Sequence, residues 1–179
     1  LPTWLVVWGT VTALLRPLSG EPFPEFLERA GNFGAPLALL ILSGGIPSLR
    51  SLFSQLDPDH VPSERARRQL QWCLRIVCFL LLLGHGWLNL LHKEGLVSQY
   101  RALGFTNPIE EASRIGVTEI LFGLAALVKP WRPMILLFLL WKMGSEMFYP
   151  QYGLVEWIER GGSYGSLLAL WLVSERIFP

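Results

Sequence analysis

The chain has 179 residues, of which 51% are hydrophobic and only 16% are charged, and its mean hydropathy is +0.39. Soluble domains carry charge on roughly 25% of their residues, so this composition favours a membrane protein. The formal net charge of +1 gives no electrostatic basis for binding nucleic acid.

Six apolar segments predict six helices. They cover residues 2–15, 33–48, 70–91, 112–128, 134–149 and 163–173. A transmembrane helix needs about 20 apolar residues, so the shorter segments should extend into their polar flanks. Only helices and closed barrels span lipid, and these segments lack the alternation of barrel strands. We therefore expect an all-α integral membrane bundle with about six transmembrane helices. Because the chain enters an apolar segment directly after Leu1, we also expect residues upstream of it.

The charges of the connecting segments predict an orientation. Basic residues occupy alternate connections: Arg50, Arg65, Arg67, Arg68, Lys129, Arg132 and Arg176. Acidic residues collect on the opposite side: Glu21, Glu25, Glu28, Glu94, Glu110, Glu111, Glu156 and Glu159. Lys and Arg mark the cytoplasmic face. We expect residues 50–68 and the C-terminus to be cytoplasmic, in a bacterial inner membrane.

Two stretches of the chain repeat one another. Residues 26–40 (FLERAGNFGAPLALL) and 157–171 (WIERGGSYGSLLALW) are identical at seven of fifteen positions. The shared motif comprises Glu28, Arg29, Gly31 and Gly34 in the first copy and Glu159, Arg160, Gly162 and Gly165 in the second. This pattern indicates a parallel duplication whose glycines allow close helix packing. A ligand-binding loop is the alternative interpretation of the motif.

The repeat also predicts how the chain is divided. Residues 1–49 form a partial first repeat of two helices, and residues 50–68 form a cytoplasmic basic loop. Residues 69–179 form the second repeat, a unit of four helices. At the offset of Lys142 and Glu146, the first repeat carries Val11 and Leu15. A polar cluster is therefore expected within the second repeat alone.

Four polar side chains within the apolar segments are the candidate site residues: His85, Glu119, Lys142 and Glu146. Ionisable residues inside a membrane are costly and are functional candidates by default. Lys142 and Glu146 are four residues apart on one helix and can pair. Three interpretations remain open: structural neutralisation, contact with a lipid or pigment, and a quinone or proton-relay site. In the last of these, His85 is the donor and Glu119 accepts the proton.

His85 is also the candidate cofactor residue. Gly84 and Gly86 would leave room beside its imidazole for a planar ring. His92 lies on the same predicted helix and cannot clamp the same iron, so quinone is a more plausible cofactor than haem or a chlorin.

The sequence gives no sign of a metal centre or a self-contained enzyme. Cys73 and Cys78 are five residues apart on one predicted helix, which suits neither a disulfide nor a metal pair. Nucleophile motifs, phosphate-binding loops and HExxH are all absent. We therefore expect a protein that is not an enzyme by itself.

Residues 70–177 resemble the DoxX-like family of small four-helix membrane proteins. The resemblance rests on GHGWLNLLHKEGLVSQYRALGF (84–105), on the glutamate-led EILFGLAALV (119–128), and on the basic turn and helix that follow. Residues 1–49 resemble a partial second copy of the unit. Members of this family are associated with membrane oxidoreductases, including the small subunit of a thiosulfate:quinone oxidoreductase. The resemblance implies a quinone-linked setting, with the family glutamate at Glu119.

These observations together predict an accessory or structural subunit of a larger membrane redox complex, either respiratory or photosynthetic. Its partners would be the lipid bilayer and other membrane subunits, and it would hold a lipid or quinone pocket. A quinone-reactive subunit that uses the four polar residues and a small-molecule transporter are the two alternatives.

Overall fold

A computed structural model of the chain describes residues 1–45, 61–149, 157–158 and 160–174. Within these residues the protein consists of eight helices and contains no strand, which confirms the all-α prediction. The helices are α1 (Pro2–Leu18), α2 (Pro24–Glu28), α3 (Ala30–Leu42), α4 (Glu64–Leu90), α5 (Glu94–Ala102), α6 (Pro108–Val128), α7 (Arg132–Glu146) and α8 (Gly161–Val173). Six of them correspond to the predicted apolar segments, and α2 and α5 are additional short helices.

Helix lengths support fewer membrane spans than the sequence predicts. Among the described residues, only α4, with 27 residues, is both long and apolar enough to cross a membrane. The apolar helices α3 and α8 have 13 residues each. At 1.5 Å per residue they reach about 20 Å, which is less than the roughly 30 Å hydrocarbon core. The lengths alone therefore do not establish a bundle of six spans.

Local sequence signals account for where the longest helices begin. Ser63 caps α4, because its hydroxyl accepts a hydrogen bond from the Ala66 amide at 3.2 Å. This cap extends α4 six residues upstream of the apolar segment that begins at Leu70. α6 begins at Pro108, with two glutamates in its first turn that suit the positive end of the helix dipole.

The two helices that begin in the repeated motif, α3 and α8, run parallel to each other and antiparallel to α4. Their first turns meet, since a Cβ on Gly31 would lie only 2.6 Å from the Ser163 nitrogen. At the other end of α8, Gln71 in the early part of α4 donates to the Val173 carbonyl at 2.8 Å. Leu42, the last residue of α3, lies near the same part of α4. The two helices that carry the motif therefore share one direction.

The remaining long helices continue the alternation. α6 runs antiparallel to α4, and the backbones approach where a Cβ on Gly86 would lie 2.6 Å from the Gly116 carbonyl. α7 runs back along α6, with the Phe122 and Phe138 rings stacked at 3.7 Å between centroids. The Arg132 guanidinium, at the start of α7, donates to the Ser174 carbonyl just beyond α8. The six longer helices thus alternate in direction through the bundle.

This alternation gives the bundle two chemically different ends. The end that contains the start of α4, called the basic end here, carries Glu64, Arg65, Arg67, Arg68, Arg75, Lys129 and Arg132. The opposite end, called the polar end, contains α2, α5 and most of the described carboxylates, but also Arg16, Arg29, Lys93, Arg101, Arg114 and Arg160. Arg50, Glu156, Glu159 and Arg176 lie outside the described residues. Among the described residues, the acidic side chains are therefore separated as predicted, whereas the basic ones occur at both ends.

Candidate functional site

The four polar residues predicted from the sequence lie together toward the polar end, as two pairs. His85 on α4 has its Nδ1 2.7 Å from Glu119 Oε2 on α6. Lys142 Nζ lies 2.6 Å from Glu146 Oε1, one turn further along α7. All four residues are at least 98% buried. The two pairs belong to one larger group, called the buried polar cluster: Glu28, His85, Asn89, Tyr100, Glu119, Lys142, Glu146, Arg160 and Tyr164.

Hydrogen bonds from α4 and α5 orient the His85–Glu119 pair. Asn89, one turn after His85, donates from Nδ2 to Glu119 Oε2 at 3.1 Å. Tyr100 in turn donates its hydroxyl to Asn89 Oδ1 at 2.9 Å. Burial raises the pKa of Tyr100, so its hydroxyl stays protonated and remains a donor. The imidazole and the carboxylate are therefore held in a fixed relative position.

Glu146 is the most heavily paired carboxylate of the cluster. Besides its contact with Lys142, it has the Arg160 guanidinium 3.3 Å from its Oε1. The Tyr164 hydroxyl, which belongs to the second copy of the repeat, donates to the other oxygen. Two cations and a hydroxyl therefore surround this carboxylate, and the predicted Lys142–Glu146 pairing is present on one face of α7.

The first repeat contributes to the cluster, contrary to the sequence expectation. Glu28, at the end of α2, has its Oε1 3.2 Å from Arg160 Nη1 and 3.9 Å from His85 Nε2. Burial opposes the ionisation of Glu28, but the neighbouring cations, Arg160 first, hold its pKa well below the usual range. The sequence comparison of Val11 and Leu15 with Lys142 and Glu146 does not reveal Glu28, because Glu28 reaches the cluster from α2, in the connection before α3.

Glycines bring the surrounding backbones close to His85. A Cβ on Gly84 would collide with the backbone of Leu27 and Glu28, and one on Gly86 would collide with the Gly116 carbonyl. The space beside the imidazole is therefore filled by α2 and α6. The expectation that these glycines leave room for a planar cofactor ring is wrong.

Several atoms of the cluster lack a hydrogen-bond partner among the described residues, although they are buried. They include His85 Nε2 and Glu119 Oε1. Buried polar atoms are rarely left unsatisfied, so each such atom calls for an explanation. Both atoms belong to the pair at the centre of the cluster, so this pair retains hydrogen-bonding capacity for a further group.

A groove between α6 and α7 leads to Glu119. It encloses about 240 Å³ and is lined by Ile115, Thr118, Glu119, Leu137, Phe138 and Trp141. Except for Thr118 and Glu119, its walls are aliphatic or aromatic. A single buried carboxylate at an otherwise apolar groove is suited to a ligand that is mostly apolar and has one polar group.

Three side chains have the composition of a metal site. The candidate ligand atoms of Glu28, His85 and Glu146 lie within 4.8 Å of one another. However, Arg160 lies 3.2 Å from Glu28 and 3.3 Å from Glu146, and Lys142 also pairs with Glu146. Lys142 and Arg160 already neutralise the carboxylates, and we therefore assign to them the positive charge that a metal ion would otherwise supply.

A second set of ion pairs connects the cluster to the surface of the polar end. Arg29 pairs with Glu25 and lies 3.7 Å from Glu28. Lys93 pairs with the fully buried Glu25 and lies 3.3 Å from Glu21. The Lys93 charge lowers the pKa of Glu21, although burial alone would raise it. The contacts with Glu25 and Glu21 raise the pKa of Lys93, although burial alone would lower it. Lys93 and Glu21 are each about one-third exposed.

The glycines of the repeated motif are used unequally. Gly31 and Gly162, which are equivalent in the alignment, lie against each other where α3 and α8 begin. Gly34 packs against Val77 of α4, whereas Gly165 has open space around it. Glu159 lies outside the described residues. Close packing at this motif is therefore present for three of its glycines and absent at the fourth.

The sequence reasoning missed three uncharged members of the cluster: Asn89, Tyr100 and Tyr164. Asn89 lies four residues after His85, on the same helix face, and this spacing could have identified it. Tyr164 occupies the aromatic position of the repeated motif, but the sequence does not show that it faces Glu146. His92 lies outside the cluster, is exposed, and bonds to Ser113.

Comparisons with models of known families, with curated proteins and with solved structures find no match for this chain.

Proposed function

We propose that this chain is an integral membrane subunit of a larger redox complex and that it binds the head group of a quinone in the groove between α6 and α7. The observation that carries the proposal is Glu119, a buried carboxylate with one unpartnered oxygen that lines an apolar groove. The resemblance of residues 70–177 to the DoxX-like family, which is associated with quinone-linked oxidoreductases, adds to it.

The membrane setting is supported by the outer surface of the bundle. Large apolar side chains are more than half exposed on several helices: Trp4, Trp8, Leu121, Leu137, Leu140 and Leu172. Such a surface is unfavourable in water but is solvated by lipid. We propose that α1, α3, α4, α6, α7 and α8 all cross the membrane, with the shorter helices accommodated by local thinning and by their polar flanks.

The charges of the two ends suggest the orientation. Among the described residues, the basic end carries Glu64 as its single carboxylate and is therefore net positive, and the positive-inside rule assigns such an end to the cytoplasm. We propose a bacterial inner-membrane location, with the basic end cytoplasmic and the buried polar cluster nearer the outer face.

A quinone matches the chemistry of this groove. Its ring can pack against Phe138 and Trp141, and in the reduced form its hydroxyls can donate to the Glu119 carboxylate. The groove, at about 240 Å³, is smaller than the roughly 300–1,000 Å³ of sites that enclose drug-sized ligands. It therefore suits a head group whose isoprenoid tail remains in the bilayer. The chain would bind the head group and exchange protons with it, while a redox-active partner subunit exchanges the electrons.

A purely structural role is the second candidate, and the charge pairing favours it. Arg160 of the second repeat contacts Glu28 of the first at 3.2 Å and also contacts Glu146. A network of this kind can fix the two repeats together without binding any ligand. It does not explain why Glu119 keeps an unpartnered oxygen at the groove.

Quinone binding to the purified chain distinguishes the two candidates. A short-chain quinone such as ubiquinone-1 is titrated into the protein in lipid nanodiscs, and the bound fraction is measured by equilibrium dialysis. We expect saturable binding of its reduced form, ubiquinol-1, with the dissociation constant raised about tenfold in Glu119→Gln, because the quinol hydroxyl then donates to a neutral amide oxygen and a hydrogen bond to a charged group contributes about 1.5–3 kcal/mol. Ile115→Trp, which fills the groove, should abolish binding.

Glu110→Gln is the matched control, because Glu110 lies on the same helix, is exposed, and does not line the groove. It should bind quinone as the unmodified chain does. Absence of saturable binding to the unmodified chain, or equal affinities for all three variants, would contradict the quinone site and favour the structural role.

A further inference from the structure

We propose that His85 and Glu28 form a proton path from the groove at Glu119 to the surface of the polar end. The inference rests on the proposed function, since it names how the quinone site would exchange protons with water. It also assigns a role to Glu28, a residue of the first repeat that does not line the groove.

The two ring nitrogens of His85 face carboxylates on different elements. Nδ1 lies 2.7 Å from Glu119 Oε2, and Nε2 lies 3.9 Å from Glu28 Oε1. Nε2 is buried and has no hydrogen-bond partner among the described residues. An imidazole can accept a proton at one nitrogen and release another from the second, which is the property that a relay needs. A shift of about 1 Å brings Nε2 within hydrogen-bond distance of Glu28.

Glu28 releases its proton to water at the polar end, through the 8% of its side chain that is exposed. Arg29 stays protonated and does not carry the proton; it holds Glu28 and Glu25 in position, and Glu25 pairs with the partly exposed Lys93. Lys93 also contacts Glu21, which is one-third exposed. Because Arg160 and its neighbours favour the ionised form of Glu28, this carboxylate holds a proton only transiently. The exit lies at the end of the bundle that carries α2 and α5.

The charges that face His85 leave room for one further proton. The inner part of the cluster contains three carboxylates and two cations: Glu28, Glu119, Glu146, Lys142 and Arg160. With a neutral imidazole this group carries one negative charge, and one added proton neutralises it. In a buried environment such neutrality is strongly favoured. Transfer of a single proton through His85 is therefore electrostatically permitted.

The transfer balances with water as the final acceptor. A proton on Glu119 moves to Nδ1 of an imidazole that carries its hydrogen on Nε2, and the imidazolium then releases the Nε2 proton to Glu28. Glu119 becomes a carboxylate, the imidazole changes tautomer, and the proton on Glu28 leaves to water at the exposed part of that side chain. No electrons are transferred in these steps.

Time-resolved infrared spectroscopy tests the path without using quinone. A pH jump is applied to the protein in nanodiscs, and the carboxyl stretching band of Glu119, identified by its loss in Glu119→Gln, is followed in time. Glu28→Gln and His85→Gln should each slow the response of this band by about 10²-fold, the lower range for a positioned proton-transfer group. Glu28→Asp, which keeps a carboxylate, should restore most of the rate.

Glu110→Gln, which alters an exposed carboxylate of α6 outside the path, should respond at the unmodified rate. Circular dichroism checks that each variant is folded. We expect Glu28→Gln to fold, because Arg160 keeps its contact with Glu146. An unmodified rate in Glu28→Gln, or no Glu119-dependent band at any pH, would overturn the path. If quinone binding fails while the band still responds through Glu28, the proposed function fails and the path stands.

Discussion

The two copies of the repeated motif share a sequence but serve different parts of the molecule. In the first copy, Glu28 enters the buried polar cluster, while Arg29 turns toward the ion pairs of the polar end. In the second copy the arginine, Arg160, enters the cluster and contacts Glu28 directly. The acid of one copy is thus paired with the base of the other.

The glycines show the same divergence. Gly31 and Gly162 face each other at the point where α3 and α8 meet, as two equivalent positions do on either side of a two-fold axis. Three residues further on, Gly34 packs against α4, whereas Gly165 has open space around it. The comparison indicates that the motif first serves to join the copies, and that the symmetry ends where Gly34, but not Gly165, packs against α4.

The largest predicted effect distinguishes the closely packed Gly31 from Gly165, which has open space around it. Gly31→Ala places a Cβ 2.6 Å from the Ser163 nitrogen, where only backbone could yield. We expect it to lower the free energy of unfolding by about 3 kcal/mol, at the upper end of overpacking costs. Gly165→Ala should leave stability unchanged or raise it by up to about 1 kcal/mol, because alanine is the better helix former. Denaturant unfolding in detergent measures both; equal losses in the two variants would contradict the comparison.

A smaller effect should distinguish the two arginines. Arg160→Gln leaves Glu28 and Glu146 with one fewer cation each, and we expect a loss of about 2 kcal/mol, discounted from the cost of breaking a fully buried pair because Arg160 is 19% exposed. Arg29→Gln should cost about half as much, since Lys93 still neutralises Glu25. The same unfolding measurement applies, and a larger loss for Arg29→Gln would reverse the assignment of roles.

The smallest predicted effect is the change of stability with pH that comes from the ion pairs of Lys93 with Glu21 and Glu25. The pKa of Glu21 is lowered in the folded protein, so its contribution to stability is complete above about pH 4.5 and is lost as pH falls through the folded value. The pKa of Lys93 is raised, so its contribution is complete below about pH 10.5 and is lost as pH rises further. These partly exposed groups should contribute less than about 1 kcal/mol.

Lys93→Gln tests this expectation, because it removes the partner that causes the Glu21 shift. The loss of stability below pH 4.5 should become shallower in this variant than in the unmodified chain. Arg114→Gln, which removes an exposed arginine from other carboxylates, should keep the unmodified acid profile. Identical acid profiles for Lys93→Gln and the unmodified chain would show that this ion pair does not stabilise the fold.

Periodicity and apolar content were sufficient to predict much of the fold. The six apolar segments each became a helix, and the ends moved where a cap such as Ser63 or a proline such as Pro108 set the start. The two short helices α2 and α5 were not predicted as helices, because they are polar and too short to show a clear period. Their stability comes from packing against α4 and α6 and not from local sequence.

The candidate site shows a different limit. His85, Glu119, Lys142 and Glu146 were identified because charged residues are conspicuous within apolar segments. Glu28 was assigned only a structural part in the repeat, because its place in the cluster depends on Gly84 admitting the backbone of α2. Contacts that arise from the three-dimensional approach of distant segments leave no periodic signal in a single sequence.

Chemical labelling from the lipid phase tests directly whether Glu119 lies in a quinone site that opens to the membrane. Dicyclohexylcarbodiimide is an apolar reagent that modifies protonated carboxyl groups, and mass spectrometry of the labelled protein in nanodiscs identifies the modified residue. We expect modification at Glu119, its suppression by ubiquinone-1, and its loss when Ile115→Trp fills the groove. Failure to label Glu119, or labelling that neither quinone nor the filled groove reduces, would contradict a quinone site that opens to the membrane.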